Sequence, residues 1–220
     1  MTRPVDESAL RQLLVDTARA SVHAGLNRGT SGNLSARVPG GFLITPTGVR
    51  YDALRSGDLV RLDERGVPAS GQLRPSSEWR FHCDIYAARP EVAAIVHTHS
   101  QYASALACQH REIPAFHYMV AAAGGDNVRC AGYATFGTAE LSANALAALA
   151  DRHACLLANH GVIATGPDLP AALALAEEIE ALAGQYCAAL ATGTPVLLGA
   201  AEMRRVLDSF KDYGRQERAQ

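Results

Sequence analysis

Three histidines and one glutamate have the residue types of a site for one divalent transition metal. His97 and His99 are two positions apart and follow an apolar run at residues 92–96. Side chains two positions apart on a strand leave the same face, so both imidazoles can reach one ion. His160 follows a second apolar run, and Glu78 supplies a carboxylate. Three imidazoles and a carboxylate without a nearby thiolate favour a catalytic zinc site.

Each of these residues also has an ordinary structural interpretation. A His-x-His pair is more often structural than metal-binding, and a glutamate in the first turn of a helix commonly serves only the helix dipole. Glu78 and His82 form a rival ligand pair, because residues four positions apart lie on one face of a helix. The pair His97 and His99 is favoured over it, since α/β proteins place their sites at the ends of buried strands. His82 is then left for packing.

Apolar periodicity predicts the elements that must hold these side chains. Helical spacing predicts helices over residues 8–26, 78–88, 102–109, 138–150, 168–191 and 200–210. Short apolar runs predict strands at residues 42–45, 58–62, 92–96 and 154–158. Alternating strands and helices without a repeat or a linker indicate one α/β domain over residues 1–220, with helices on both faces of a sheet. Residues 214–220 are expected to form a mobile tail.

Small residues that can donate hydrogen bonds to an anion cluster in three turns. Residues 29–35 form a glycine- and serine-rich loop that can cradle a phosphate without a Walker lysine, although such loops are usually only turns. Thr47 and Gly48 form a second such turn after a predicted strand. Ser76 or Ser77 is expected to cap the predicted helix that follows, which is the ordinary role of such residues. Anion binding by both at the helix N-terminus is the alternative.

Composition and charge exclude several classes of protein. The chain has 220 residues, 48% of them hydrophobic and 19% charged, as in one water-soluble domain. A net charge of -2 predicts no binding to nucleic acid or to an anionic membrane. The chain has no apolar run of about 20 residues and no signal peptide, so a cytoplasmic location is expected. The five cysteines are widely spaced, which favours reduced thiols over a cysteine metal site.

Motifs along nearly the whole chain resemble the class II aldolase/adducin family. They lie at residues 29–33, 44–48, 75–82, 97–99, 114–119, 133–137, 159–161 and 210–214. Several of them are shared with the epimerases and dehydratases of that family. The more discriminating ones are residues 117–119, residues 133–137 and the C-terminal segment that contains Tyr213.

The resemblance implies a three-layer αβα sandwich with a central mixed, largely antiparallel sheet. It also implies a homotetramer with active sites between subunits and one zinc ion per subunit. By motif position, the zinc ligands are His97, His99 and His160. Glu78 matches a carboxylate that can also ligate the metal and that acts as acid and base when substrate displaces it. The implied phosphate site comprises Gly32, Asn33, Thr47, Gly48, Ser76 and Ser77. Tyr118 and Tyr213 match tyrosines that a neighbouring chain supplies for proton transfer and aldehyde placement, and Phe136 matches an aromatic residue at the same wall.

The implied activity is that of an aldehyde-lyase that reversibly cleaves L-fuculose 1-phosphate to dihydroxyacetone phosphate and L-lactaldehyde. Lys211 is the only lysine and lies near the chain end, so a zinc ion is favoured over a lysine imine as the electron sink. One alternative is an aldolase of another deoxyketose 1-phosphate, such as 5-deoxyribulose 1-phosphate. The others are an epimerase, a dehydratase such as one acting on methylthioribulose phosphate, and a non-catalytic scaffold like the adducin head.

Overall fold

A mixed sheet of seven strands forms the centre of the structure, a computed structural model that describes residues 6–210. The strands are β1 (Asn33–Val38), β2 (Gly41–Ile44), β3 (Val60–Asp63), β4 (Ala94–Thr98), β5 (Cys130–Ala131), β6 (Ala154–Leu157) and β7 (Gly161–Gly166). Their order across the sheet is β3-β2-β1-β4-β7-β6-β5. Strands β5 and β6 run parallel, and the other neighbouring pairs in this sheet are antiparallel.

Helices cover both faces of this sheet. They are α1 (Glu7–His23), α2 (Trp79–Ala88), α3 (Gln101–Ala107), α4 (Ala139–Ala148), α5 (Leu169–Thr192) and α6 (Ala200–Phe210). Helices α1, α3, α5 and α6 share one buried apolar core with the sheet, and α2 and α4 share the other. Successive side chains of β4 alternate between the two cores: Ala94 and Val96 face the first core, and Ile95 faces the second. The predicted three-layer αβα sandwich with a mixed, largely antiparallel sheet is confirmed.

The predicted helices are all present, with ends that differ by a few residues. Strands β1, β5 and β7 are not predicted by the apolar pattern. Residues 29–35 were expected to be a loop, but β1 begins at Asn33 and pairs with β4. Pairing with a neighbouring strand outweighs the weak strand propensity of asparagine and serine here. The strand expected at residues 58–62 starts only at Val60, after a short 3-10 helix at Ser56–Asp58.

The start of α2 shows that the assignment of Ser76 or Ser77 as the helix cap is wrong. The N-cap residue is Glu78, whose side chain makes no capping hydrogen bond. The backbone N–H of Glu78 donates to Ser76 Oγ at 3.2 Å, and the backbone N–H of Ser76 donates to the carbonyl of Thr45 at 3.1 Å. Because Ser76 is tied to the end of β2, the helix begins only after Ser77. Because the Glu78 side chain makes no capping hydrogen bond, its carboxylate can contact the sheet residues Asn33 and His97.

No helix within residues 6–210 has the length and apolar character needed to cross a lipid bilayer. Tyr213 and the tail expected at residues 214–220 lie outside the described residues. The single-domain organisation and the cytoplasmic location stay predictions.

Leu156→Ala should lower the free energy of unfolding by about 2–5 kcal/mol, because Leu156 is fully buried and its truncation leaves a cavity. Denaturant titration at one fixed protein concentration measures this change. Leu13→Ala is the control, since Leu13 in α1 is 41% exposed, and its effect should stay within about 0.5 kcal/mol. Equal losses in the two variants would contradict the packing of this sheet face.

Candidate metal centre and active-site cavity

Strand β4 and a neighbouring turn carry the three predicted histidine ligands. His97 lies in β4 with a fully buried side chain, and His99 follows the end of this strand. His160 lies in the tight turn between β6 and β7, where Asn159 has a φ of 54°. Asparagine adopts this left-handed conformation more readily than most residues. Its Oδ1 lies 2.6 Å from His110 Nε2, and this hydrogen bond holds the turn that presents His160.

Close backbone packing places His160 beside the other two histidines. A Cβ on Gly161 would lie 2.3 Å from the carbonyl oxygen of Thr98. The start of β7 therefore approaches the end of β4 more closely than a residue with a side chain would allow. As a result, the His160 ring centroid lies 4.8 Å from the ring centroids of both His97 and His99.

The His–Glu group, defined as Glu78, His97, His99 and His160, has one ligand atom from each residue within 4.8 Å of the others. The Nε2 atoms of His97 and His99 are 3.0 Å apart. The two carboxylate oxygens of Glu78 lie 3.2 Å from the Nε2 atoms of His97 and His160 respectively. A tetrahedral zinc ion with bonds of about 2.0–2.1 Å separates its ligand atoms by about 3.3 Å. The observed spacing therefore suits one such ion.

Burial and hydrogen bonding favour the ligand forms of the imidazoles. His97 Nδ1 lies 2.9 Å from the carbonyl oxygen of Val162, which fixes Nδ1 as the donor and leaves Nε2 as the electron-pair donor facing the group. Burial is the main cause that lowers the pKa of His99 to about 3 and the pKa of His160 to about 4. Both rings are therefore neutral at neutral pH, as metal binding requires.

The Glu78 carboxylate has one satisfied and one unsatisfied oxygen. Asn33 Nδ2 donates to Oε2 at 2.9 Å, whereas Oε1 is buried and has no hydrogen bond from any residue within 6–210. Burial by itself raises the pKa of Glu78. The positive charge that His97 and His160 carry when protonated at low pH, together with hydrogen bonds from His97 and Asn33, holds this pKa well below its usual range. Glu78 is therefore an anion with a buried orphan acceptor, which a cation satisfies. The residues present fit a divalent metal.

His82 does not belong to the His–Glu group. Its side chain is fully buried. Its Nε2 lies 2.5 Å from Asn33 Oδ1, and its Nδ1 lies 2.7 Å from Ser35 Oγ. Since both ring nitrogens have partners, the rival pair of Glu78 and His82 is not formed as a ligand pair. The geometry agrees with the preference for His97 and His99.

A cavity of about 320 Å³ opens onto the His–Glu group, and Glu78, His99 and His160 form part of its wall. Its lining includes most of the predicted substrate-binding residues, namely Gly32, Asn33, Thr47, Ser76, Ser77 and Phe136. Gly48 follows Thr47 in the same turn but is not among the lining residues. Four polar lining residues were not predicted: Thr30, Ser31, Tyr133 and Asn159. Three of them lie in the motifs at residues 29–33 and 133–137, and Asn159 precedes His160, so motif position was the available signal.

The cavity offers neutral hydrogen-bond donors rather than cationic side chains. The backbone N–H groups of Thr47 and Ser76 are already bonded to other carbonyl oxygens, so their hydroxyls remain for a ligand. Ser77 and Thr47 are exposed, and Ser76 is buried. Within residues 6–210, no lysine or arginine lines this cavity. An anion bound here would be held by hydroxyl and amide groups.

The aromatic residues predicted at the aldehyde wall are only partly in the cavity. Phe136 lines the cavity and is 64% exposed. The neighbouring Tyr133 also lines it and is 57% exposed. Tyr118 is 47% exposed and is not among the lining residues. Tyr213 lies outside the described residues. Participation of Tyr118 and Tyr213 from a neighbouring chain stays a prediction.

Known proteins share both the sequence and the fold. Residues 12–187 match the sequence profile of the Class II Aldolase and Adducin N-terminal domain. The chain is 56% identical over 211 residues to the 5-methylthioribulose-1-phosphate/5-deoxyribulose-1-phosphate aldolase of Rhodospirillum rubrum, which covers 96% of this chain and 95% of that protein. It is 46% identical over 211 residues to the L-fuculose phosphate aldolase of Escherichia coli (strain K12), with 96% and 98% covered. A solved structure of L-fuculose 1-phosphate aldolase has a TM-score of 0.89 at 40% identity, covering 92% of this chain and 96% of that one.

An αβα sandwich with a His–Glu group at the wall of a polar cavity defines an enzyme scaffold that could hold a metal. The chain belongs to the class II aldolase and adducin family, as the motifs indicated. It is an aldehyde-lyase, because relatives that match nearly its full length are aldolases.

His160→Ala should reduce metal affinity by more than about 100-fold, since loss of a ligand costs more than the 10- to 100-fold typical of supporting residues. Elemental analysis after dialysis measures the metal retained per chain. His23→Ala is the control, because His23 is exposed at the end of α1, and it should retain the wild-type content. Full metal retention by His160→Ala would exclude His160 as a ligand.

Proposed function

We propose that the protein is a zinc-dependent aldolase that cleaves a deoxyketose 1-phosphate between C3 and C4 into dihydroxyacetone phosphate and an aldehyde. The observation that carries this proposal is the His–Glu group beside a cavity of hydroxyl and amide donors. His97, His99 and His160 would hold the zinc ion, and Glu78 would be a fourth ligand that substrate displaces. When bound, zinc supplies a Lewis acid that polarises the ketone of the substrate.

The carboxylate of Glu78 is suited to move a proton at the substrate carbon next to the ketone. Asn33 holds Oε2, and Oε1 has no hydrogen bond of its own. In condensation, Glu78 takes a proton from the hydroxymethyl carbon of dihydroxyacetone phosphate, and in cleavage it returns that proton. The hydroxyl groups of Thr47, Ser76 and Ser77 hold the phosphate, so that the reacting carbons stay in place beside Glu78.

A second acid and base must serve the aldehyde oxygen. We propose that Tyr118 and Tyr213 of a neighbouring copy do so, with the hydroxyl of one tyrosine giving a proton in condensation and taking it back in cleavage. This assignment requires a homo-oligomer, proposed as a tetramer with active sites between subunits. The exposure of Tyr118, Tyr133 and Phe136 supports it, because such aromatic residues on one chain are suited to an interface.

The preferred substrate is a 5-deoxypentulose 1-phosphate, namely 5-methylthioribulose 1-phosphate or 5-deoxyribulose 1-phosphate. The relative at 56% identity carries these substrates in its name, whereas the relative at 46% is named for L-fuculose phosphate. L-Fuculose 1-phosphate, the substrate expected from the motifs, is the second candidate, supported by the TM-score of 0.89. An epimerase, a dehydratase or a non-catalytic scaffold is disfavoured because both of these relatives are named aldolases.

The candidate substrates differ only in the aldehyde that leaves. Cleavage of the 5-deoxypentulose phosphates releases an aldehyde without a hydroxyl group, whereas L-fuculose 1-phosphate releases L-lactaldehyde. We place the leaving aldehyde beside Phe136 and Tyr133, whose rings line the cavity. The rings suit a methyl or methylthio group, whereas a lactaldehyde hydroxyl would need a polar partner such as the Tyr133 hydroxyl.

A panel of ketose 1-phosphates should separate these candidates by the rate at which dihydroxyacetone phosphate is released. We expect the highest kcat/KM for 5-methylthioribulose or 5-deoxyribulose 1-phosphate, lower values for L-fuculose 1-phosphate, and loss of all activity with a chelator. Adding zinc back should restore the activity. Full activity of the metal-free protein would exclude the metal-dependent mechanism, and a higher kcat/KM for L-fuculose 1-phosphate would reverse the substrate order.

Glu78→Gln should lower kcat by about 10²- to 10⁴-fold, the usual contribution of a general acid and base. The variant keeps the hydrogen bond from Asn33 and the three histidine ligands, so the fold and the bound metal should be retained. Steady-state kinetics, circular dichroism and elemental analysis test these three expectations. Glu177→Gln is the control, since Glu177 is an exposed residue of α5. Undiminished turnover in Glu78→Gln would remove Glu78 from the proton transfer.

A further inference from the structure

A chain of buried hydrogen bonds extends from the Glu78 carboxylate into the layer between α2 and the sheet. Glu78 Oε2 bonds to Asn33 at 2.9 Å, Asn33 to His82 at 2.5 Å, His82 to Ser35 at 2.7 Å, and Ser35 to the Tyr86 hydroxyl at 2.8 Å. Each of the five side chains belongs to a residue that is at most 6% exposed. Water therefore competes little for these bonds, and each bond constrains the next.

The spacing of these residues follows from one helix face and one strand face. Glu78, His82 and Tyr86 are four positions apart and lie along one side of α2, from its N-cap onwards. Asn33 and Ser35 are two positions apart on β1, so both point towards that helix. Four helical residues advance by about 6 Å and two strand residues by about 6.7 Å. The two rows therefore stay in step along the whole chain of bonds.

The donor in each hydrogen bond can be assigned from chemistry. A carboxylate only accepts, so Asn33 gives its NH₂ group to Glu78 and turns its Oδ1 to His82. Oδ1 also only accepts, so His82 donates from Nε2. Burial lowers the pKa of His82 to about 3, so the ring is neutral and its Nδ1 accepts from the Ser35 hydroxyl. Ser35 in turn accepts from Tyr86, and every donor in the chain points towards Glu78.

We infer that His82, Ser35 and Tyr86 are positioning residues, which act through Asn33 to hold the Glu78 carboxylate in one orientation. They keep the NH₂ group of Asn33 on Oε2 and so leave Oε1 to the cavity. Were His82 to present an acceptor, the Asn33 amide would turn its oxygen to the carboxylate and repel it. The inference rests on the proposed function, in which Glu78 exchanges a proton with the substrate carbon.

The rate of substrate proton exchange distinguishes a positioning role of His82, Ser35 and Tyr86 from a role in packing alone. The same bonds also hold α2 on the sheet, so a loss of thermal stability alone does not distinguish the two roles. Exchange of the hydroxymethyl proton of dihydroxyacetone phosphate in D₂O, followed by NMR, depends on Glu78 and needs no aldehyde. Ser142 of α4 offers a matched control. It is 1% exposed, and its hydroxyl donates at 2.6 Å to Asp84 of α2, outside the chain of bonds.

His82→Asn should slow this exchange by about 10- to 100-fold, as expected for a residue that orients a ligand. The side-chain amide of the introduced asparagine lies near the former Nδ1 position, so no donor remains for the Oδ1 atom of Asn33. His82→Gln places an amide near the former Nε2 position and should restore part of the rate. Ser35→Ala should slow exchange more than Ser142→Ala does. Metal content by elemental analysis and the half-saturating concentration of dihydroxyacetone phosphate should stay at wild-type values in all four variants.

Wild-type exchange rates in both His82→Asn and Ser35→Ala would overturn the positioning role. Equal slowing in Ser35→Ala and Ser142→Ala would also overturn it, because the effect would then come from packing of α2. If the His82 variants do not fold, this serine pair decides the question. A metal-loaded wild-type protein that exchanges no proton would instead overturn the proposed role of Glu78, and the inference with it.

Discussion

The register of β4 between its two neighbours is the constraint on which the candidate site depends. Residue His97 of β4 lies opposite Asn33 of β1 on one side and Ile163 of β7 on the other. Because side chains alternate along a strand, a slip by one residue would turn His97 to the opposite core. The His–Glu group is therefore a product of the assembled sheet, since both pairings join segments that are far apart in the chain.

Burial of the His–Glu group lowers the stability of the folded protein unless its polar atoms have partners. A carboxylate and several imidazoles are buried beside each other, which is unfavourable unless each polar atom has a partner. The protein supplies some of these partners, with Val162 for His97 and Asn33 for Glu78. A bound cation would satisfy Glu78 Oε1 and the facing imidazole nitrogens. Metal binding would therefore stabilise this layer as well as provide a Lewis acid.

Local spacing in the sequence is sufficient to predict the helices and a strand that ends just before His97, whereas residue types and motif position indicate the members of the His–Glu group. It is not sufficient for β1 and β7, because Asn33 and Gly161 have weak strand propensity and become strand residues through pairing with β4. The link between His82 and Asn33 joins residues 49 positions apart. No local sequence pattern predicts such a contact. The family follows from motifs. The choice between similar substrates does not, because the residues proposed to contact the leaving aldehyde are spread over Phe136, which lines the cavity, and Tyr118, which does not.

The lack of basic side chains at the cavity wall within residues 6–210 has a kinetic consequence. Attraction between exposed charges reaches over a Debye length and weakens with salt, whereas hydroxyl and amide donors act only at contact. Within residues 6–210 no arginine or lysine stands at the wall, and the whole chain has a net charge of -2. Basic side chains of this wall would therefore not guide a phosphorylated ligand from a distance, and any such attraction would come from a bound metal ion. The enzyme would recognise such a ligand mainly after collision, by its shape and its complement of acceptors.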